Sequence, residues 1–420
     1  MKNDPRILVI GTGDTKADEL LFMRERIEAV GGRAVMMDVS ILGDPPYRPE
    51  HGRREVAAAA GTTVEAIAAS GDENSAMILM ARGAASLART LQARGEIDAM
   101  IALGGSMGTD LALDVALALP LGMPKFVVST IAYSHLLPPD RIASDLMMIL
   151  WAGGLYGLNS TCRTVLSQAC GAVVGATRAA VEPRGERPIV GMSSLGKSCL
   201  AYMVALKPEL ERRGYEVVVF HTTGMGGRAL EAIAAQRGFV AVLDFSLQEV
   251  ANQFTGSVVS SGADRLENAG RVGIPQIVAP GAVDMVDFPT WQPMPERFAG
   301  RPYHAHNRLL ASVTSDGGTR REIARAIAAK LASARSRTAF ILPAGGIQQW
   351  DRKGEPLHEP EALAAFVDEM RAAVPAGVEL HEIAGHINDP AFAAKALEIF
   401  DRWVEEGAIP PGVRGGEAAA

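Results

Sequence analysis

The chain has 420 residues, with 41 Lys and Arg against 48 Asp and Glu, which gives a formal net charge of −7. Three cysteines are too few for a disulfide framework or a zinc site built from cysteines. The acidic charge balance argues against general binding to nucleic acid or to an anionic membrane surface. No apolar run reaches the ~18 residues of a membrane span, and the N-terminus lacks the apolar core of a signal peptide. We therefore expect a cytoplasmic globular protein of two or three domains.

Short apolar runs alternate with longer amphipathic stretches in the first half of the chain, a pattern typical of βαβ units around a parallel sheet. The pattern predicts strands at residues 6–10, 34–41, 99–103 and 125–129. It predicts helices at residues 18–29, 74–93, 109–118 and 161–181. A polar segment with Pro and Gly at residues 183–188 then reads as a linker.

The same alternation resumes after the linker. Strands are predicted at residues 189–192, 216–221, 240–245, 276–279 and 339–342, and helices at 197–213, 228–237, 320–335, 360–373 and 390–406. This organisation predicts an α/β protein with two Rossmann-like doubly wound subdomains and mainly parallel sheets, at residues 1–182 and 189–409. A disordered tail is expected at 410–420. In such folds, ligands bind outside the carboxyl ends of the strands.

Two glycine-rich loops follow predicted strands of the first subdomain. They contain Gly11, Thr12, Gly13, Asp14, Thr15 and Lys16 after the first strand, and Gly104, Gly105, Ser106, Gly108 and Thr109 after the third. Glycine lets a phosphate approach the backbone, and the following helix offers free N–H groups. Thr130 lies at the end of the next strand. The alternative interpretation is a pair of tight turns that cap their helices.

A second group of loops of this kind lies in the second subdomain. Residues 191–198 match the P-loop pattern GxxxxGK[ST], with Gly196, Lys197 and Ser198 at its end. A working P-loop would place Lys197 on phosphates and Ser198 on Mg²⁺, although such loops usually open a nucleotide-binding fold. A further anion loop is predicted from Thr222, Thr223, Gly224, Gly226, Gly227 and Arg228.

Other polar residues are candidates for acid–base chemistry. They are Asp264, Asp284, His304 and His306. The two histidines are two residues apart, so they share a face if the segment is a strand. The zinc pattern HExxH is absent, and no intrinsic metal site is expected. Residues 104–108 also match GxSxG, which keeps open a serine hydrolase with Ser106 as nucleophile.

Several of these motifs occur together in one known family. The chain resembles the Tm-one-like ATP-binding domain family, which has bacterial, fungal and plant members, the plant member being a tobamovirus resistance protein. The resemblance extends from Arg6 to Phe400. It rests on residues 11–16, 37–40, 104–109, 219–228, 281–286, 304–307 and 386–393.

The resemblance implies two Rossmann-like subdomains, ATP binding with Mg²⁺ and a separate TIM-barrel partner protein. The leading hypothesis places ATP on the loops of the first subdomain, facing an interdomain cleft, with Asp14 near Mg²⁺. The protein would then act with its partner on a small carbon acid. The alternatives are a non-enzymatic, ATP-dependent binding or regulatory module and the serine hydrolase. Helices rich in Ala and Gly favour a homo-oligomer, and no nucleic-acid or membrane partner is expected.

Overall fold

The computed structural model describes residues 4–181, 185 and 187–413. The chain divides into two compact units, Met1–Pro183 and Arg184–Ala420. The predicted linker falls at this division, although positions 183, 184 and 186 lie outside the described residues. No helix in the described ranges has both the length and the apolar character needed to cross a lipid bilayer.

Within the described residues, the first unit contains a five-stranded parallel sheet. Its strands are β1 (Arg6–Gly11), β2 (Arg33–Asp38), β3 (Ala99–Gly104), β4 (Lys125–Ser129) and β5 (Leu146–Leu150). Their spatial order is β2-β1-β3-β4-β5. The helices are α1 (Ala17–Ala29), α2 (Arg53–Ala59), α3 (Val64–Ala68), α4 (Glu73–Ala93), α5 (Ser106–Ala118) and α6 (Ser160–Ala179).

The helices of the first unit cover both faces of this sheet. Leu20 of α1 and Leu166 of α6 belong to the core on one face. Met80 of α4 and Leu111 of α5 belong to the core on the other. The unit is therefore doubly wound, and the direction of winding reverses between β1 and β3. Ligands bind at this reversal in doubly wound folds, at the carboxyl edge of the sheet.

The second unit repeats this architecture on a larger scale. Over its described part, six parallel strands follow the order β14-β13-β9-β8-β6-β7. They are β6 (Ile189–Ser194), β7 (Glu216–His221), β8 (Ala241–Ser246), β9 (Gln276–Gly281), β13 (Thr338–Pro343) and β14 (Val378–Ile383). The helices are α7 (Ala201–Arg212), α8 (Met225–Ala235), α9 (Gln248–Thr255), α10 (Asn268–Val272), α11 (Gly317–Leu331), α12 (Pro360–Ala373) and α13 (Pro390–Glu405).

The helices of the second unit also cover both faces of its sheet. Tyr202 of α7 and Phe400 of α13 pack into the core on one face. Helices α8 to α12 cover the other, where Leu230 and Phe366 are buried. A small antiparallel sheet lies between β9 and α11. It consists of β10 (Met285–Pro289), β11 (Tyr303–Ala305) and β12 (Leu310–Thr314), with β12 in the middle.

The predicted fold class is confirmed, and the predicted elements are observed with small shifts at their ends. The pattern did not predict β5, β14, the small antiparallel sheet, or the helices α2, α3, α9 and α10. Helix α7 begins at Ala201, later than predicted, because Leu195 and Cys199 close a turn through a β-bridge. The expected disordered tail includes residues 410–413, whereas Val413 N donates to Gly214 O at 2.9 Å. Residues 414–420 lie outside the described range.

Candidate functional site

The two predicted phosphate loops of the first unit lie next to each other. Strands β1 and β3 pair directly, so the loops that follow them leave the same edge of the sheet. Helices α1 and α5 begin from these loops, and no side chain in the described part of the chain caps the first turn of either helix. The first N–H groups of a helix have no partner within the helix. The N-termini of α1 and α5 therefore follow the two neighbouring strands between which the winding reverses.

Glycines allow the second loop its close packing. A Cβ at Gly104 would lie 2.6 Å from Gly108 Cα, so a side chain there would displace the backbone. A Cβ at Gly105 would meet only Thr130 Oγ1, at 3.8 Å, which leaves open space above the loop. Thr109 is buried and bonds Ser129 Oγ at 2.7 Å, so its hydroxyl serves the packing of the loop.

The polar residues of the first loop are held in different ways. Thr12 and Thr15 share a hydrogen bond of 2.8 Å between their hydroxyls. Asp14 Oδ2 accepts from Gly43 N at 3.2 Å. Lys16 lies with Nζ 5.2 Å from the ring centre of Tyr156, and it forms no ion pair with a described residue. Lys16, the residue before α1, thus has no carboxylate partner among the described residues.

Asp38, at the end of β2, is a polar residue that sequence reasoning did not assign to the site. Its Oδ1 accepts from Gly13 N at 2.9 Å and from Ser40 N at 3.1 Å, so it fixes the first loop. Its Oδ2 is buried and has no partner in the described residues. Burial raises the pKa of this carboxyl group. A cleft of about 620 Å³ borders Asp38 and is also lined by Tyr47 and Arg53.

The P-loop match of the second unit forms a closed turn. In a P-loop, the lysine and the following Ser or Thr open the helix. Here Ser198 N bonds back to Leu195 O at 2.9 Å, and α7 starts only at Ala201. Ser198 is buried, and its carbonyl accepts from Asn388 Nδ2 at 2.8 Å. Gly196 and Lys197 therefore lie in a turn that ties strand ends together, and Lys197 is exposed.

The other predicted anion loop, before α8, already holds an anion of the protein itself. Glu249 Oε1 accepts from Gly224 N at 2.7 Å and from Gly227 N at 3.1 Å. Glu249 is fully buried, so its carboxylate occupies the place where a phosphate would lie. Arg228 pairs with Asp264 at 2.9 Å. Three further residues of the loop make internal contacts: Thr222 bonds Ser246 Oγ, Thr223 N donates to His221 O, and Gly226 packs on the His221 backbone.

Near this loop, a buried arginine forms ion pairs with three carboxylates. Arg265 donates to Glu249 at 2.8 Å, to Glu231 at 3.3 Å and to Asp244. All four side chains are almost inaccessible to solvent. Burial raises the pKa of Glu231 to about 7. Because the cluster is closed on itself, we interpret it as structural.

The remaining candidates divide into separate groups. His304 and His306 share a face, as their spacing predicts, with ring centres 4.8 Å apart. Trp350 contacts both rings, at 4.3 and 5.3 Å. Asp284 lies in the turn between β9 and β10, fully buried, with Oδ2 accepting from Gln348 Nε2 at 3.2 Å. Its Oδ1 has no partner among the described residues, and burial raises its pKa to about 6.

Sequence reasoning did not assign Asp38 or Ser312, and it included Asp287 only as the end of a polar candidate cluster at residues 281–287. Asp38 lies in the motif at residues 37–40 and Asp287 ends a polar cluster, so their positions after apolar runs were the available signals. Ser312 carried no signal in the sequence. No group of three or more His, Cys, Asp or Glu residues in the described ranges is arranged to hold a metal ion.

Comparison with known proteins gives the family. Residues 5–182 match the N-terminal domain of the uncharacterised protein family UPF0261, and residues 187–404 match its C-terminal domain. A UPF0261 protein of Brucella melitensis is 67% identical over 98% of both chains. One from Clostridium tetani is 35% identical over 92% of this chain and 96% of its own. The ToMV resistance protein Tm-1(GCR237) of Solanum lycopersicum is 29% identical over 95% of this chain and 56% of its own length. The chain therefore belongs to the uncharacterised protein family UPF0261.

Proposed function

We propose that the first unit binds ATP together with Mg²⁺ at the carboxyl edge of its sheet, between β1 and β3. The observation that carries the proposal is the contrast between the units. The helix N-termini of α1 and α5 have no side-chain cap, whereas Glu249 fills the corresponding loop before α8. Uncapped N–H groups and the positive end of the helix dipole favour a phosphate group.

Each residue of the site would have a distinct task. The first turns of α1 and α5 would donate N–H groups to phosphate oxygens, and Gly105 would let a phosphate approach the backbone. Lys16 would add positive charge. Asp14 would face Mg²⁺, which prefers carboxylate and phosphate oxygens. Ser106 and Thr130 would offer hydroxyl groups at the edge of the site.

Asp38 extends the proposal to the sugar. In dinucleotide-binding folds, an acidic residue on the strand beside the glycine loop accepts a hydrogen bond from the ribose 2′-hydroxyl. Asp38 has this position, because β2 pairs with β1 and Gly11 is in register with Asp38. Its partnerless Oδ2 fits a hydroxyl donor.

The serine hydrolase has less support. Ser106 lies at the start of α5, and no histidine or carboxylate of the described residues forms a hydrogen bond with its side chain. We retain two uses of ATP as proposals: consumption in an enzyme that acts with a TIM-barrel partner, and ordering of a binding module. The resistance named for the tomato protein is a property of that protein.

Calorimetry with Mg·ATP tests the site. We expect wild type to bind and Lys16→Ala to bind about 10–100-fold more weakly, because a charge-assisted hydrogen bond contributes about 1.5–3 kcal/mol. Lys197→Ala is the matched control, since Lys197 is exposed in the closed turn, and it should bind as wild type does. Loss of binding in Lys197→Ala alone, or no binding by the folded wild type, would contradict the proposal.

The ribose contact has its own test. In Asp38→Asn, the N–H groups of Gly13 and Ser40 fix the amide oxygen at the Oδ1 position, so the NH₂ group replaces the free acceptor. We expect wild type to prefer ATP over 2′-deoxy-ATP by about tenfold, the value of one hydrogen bond. Asp38→Asn should show no such preference. Equal discrimination in both proteins would place the ribose elsewhere.

A further inference from the structure

The small antiparallel sheet of the second unit has one polar and one apolar face. Asp287 pairs with Ser312, and Ser312 pairs with His304, so these side chains form a row on one face. Val286 and Val313 lie on the opposite face, in a core that includes Phe298. The polar row meets α9 and Trp350, which follow β8 and β13. It therefore lies at the carboxyl edge of the large sheet, where ligands bind in such folds.

Hydrogen bonds across this row orient one imidazole ring. The Ser312 hydroxyl donates to Asp287 Oδ1. His306 Nε2 lies 2.8 Å from Ser312 Oγ. A hydroxyl group has one hydrogen, so Ser312 must accept from His306, and Nε2 carries the proton. Nδ1 of His306 then holds a lone pair, and no described residue forms a hydrogen bond with it.

The carboxylate at the end of the row is buried and held by neutral groups. Asp287 Oδ2 accepts from Gln248 Nε2 and, at 3.1 Å, from Asn252 Nδ2. No Lys or Arg among the described residues forms an ion pair with it. Burial raises the pKa of Asp287 to about 6, so it is ionised at neutral pH. A buried carboxylate without a cation partner lowers the stability of the fold. Its hydrogen-bond connection to His306 through Ser312 indicates that this carboxylate has a functional role.

We propose that this row is an acid–base catalytic site in which Nδ1 of His306 removes a proton from a small carbon acid. The proton moves to Nδ1, and the electron pair of the broken C–H bond stays on the substrate. Burial and the neighbouring His304 lower the pKa of His306 to about 4, so the ring is a neutral base at neutral pH. The hydrogen bonds through Ser312 to the carboxylate of Asp287 would offset part of the cost of the imidazolium that forms. The site returns the proton at the end of the reaction. The proposal concerns the second unit and does not depend on nucleotide binding in the first.

The orientation of Ser312 defines the reaction class. In a serine hydrolase, the hydroxyl group faces the imidazole and gives its proton to it. Here the hydroxyl faces the carboxylate, so Ser312 positions His306 and does not act as a nucleophile. The cysteines of the chain are also buried. These observations favour proton transfer over acyl transfer.

The isosteric change Asp287→Asn should switch the tautomer of the His306 imidazole. Gln248 and Asn252 both donate to the Oδ2 position, so the amide oxygen must lie there and the NH₂ group must face Ser312. The Ser312 hydroxyl then donates to Nε2 of His306, and the ring proton moves to Nδ1. The ring remains in place, but Nδ1 now carries a proton and cannot accept one from a substrate.

Two measurements test the proposal on the full chain. Proton–nitrogen correlation spectra of ¹⁵N-histidine-labelled protein report which ring nitrogen of His306 carries the proton. We expect Nε2 in wild type and Nδ1 in Asp287→Asn. The second measurement uses 5-nitrobenzisoxazole, whose ring opens to a coloured phenolate when a base removes its C–H proton. We expect the rate with wild type to fall at least tenfold in His306→Gln and Asp287→Asn.

His135→Gln is the matched control, because His135 is exposed in the first unit, and its rate should equal that of wild type. Unfolding temperatures of the variants show that they are folded. A wild-type His306 protonated on Nδ1 would overturn the proposal. Equal rates of probe conversion by wild type and His306→Gln would also overturn the proposal.

Discussion

Burial controls the charge of several single carboxyl groups in the second unit. It raises the pKa of Asp284 and Asp287 to about 6 and that of Glu231 to about 7. A carboxyl group whose pKa is higher in the folded state binds more protons folded than unfolded. Its contribution to stability is present below the unfolded pKa of about 4 and is lost as the pH rises through the folded value. We therefore expect the second unit to become less stable between pH 5 and pH 8.

Asp284→Asn tests this at one residue. The amide oxygen can replace Oδ2 toward Gln348, and the NH₂ group takes the partnerless Oδ1 position without a charge. Arg320 lies 3.8 Å from Oδ2 but keeps its closer partner Glu359, at 2.8 Å. At pH 8 we expect the variant to be more stable than wild type by on the order of 2 kcal/mol. At pH 5 the difference should shrink, because the wild-type carboxyl group is then largely protonated. Urea unfolding at both pH values measures the difference, and a pH-independent difference would refute the prediction.

The helix N-termini differ between the units in what they bind. Helices α1 and α5 begin without a side-chain cap, whereas α8 begins on the carboxylate of Glu249. The same carboxylate also accepts from Arg265, so it links the start of α8 to the buried charge cluster. Similar glycine-rich loops therefore differ between the units: in the described residues, the first turns of α1 and α5 have no side-chain cap, whereas the loop before α8 binds a carboxylate of the protein itself.

Glu249→Ala tests the structural role of the loop before α8. The change leaves the N–H groups of Gly224 and Gly227 without an acceptor and removes one carboxylate from Arg265. Breaking a buried ion pair costs about 3–5 kcal/mol, and we expect a loss of stability of that order for the second unit. Glu361→Ala is the control, because Glu361 is an exposed glutamate in the first turn of α12. Equal urea midpoints for the two variants would show that the loop holds without Glu249.

At the scale of the whole molecule, the two units bury separate cores, and the family domains divide at the same place. Each unit contains enough chain for an independent domain, since domains usually have about 50–250 residues. We expect two thermal transitions, with Mg·ATP raising only the transition of the first unit. At 100 times Kd, a ligand stabilises its domain by about 2.7 kcal/mol.

Scanning calorimetry of the full chain and of residues 1–182 shows which transition belongs to which unit. A shift by Mg·ATP that is confined to the transition of the second unit would contradict the proposed site.

The sequence by itself determined the order of most strands and helices. Apolar runs of strand length alternate with amphipathic stretches, and this local periodicity placed β4, β7 and α12 at their observed bounds. It also placed the glycine loops at the ends of strands. Elements with weak local signals were missed: β14 has three polar residues among its six, two of them adjacent, and β11 has only three residues.

Only the tertiary structure decided which of these loops remain open to a ligand. Glu249 reaches back to Gly224, Asp38 reaches Gly13, and Ser312 joins Asp287 to His306 through contacts between distant parts of the chain. A sequence pattern records the residue types at a strand end, but the partner of each N–H group depends on strand order and register. The same glycine-rich pattern therefore leads to helix N-termini without a side-chain cap in the described part of one unit and to a bound, buried carboxylate in the other.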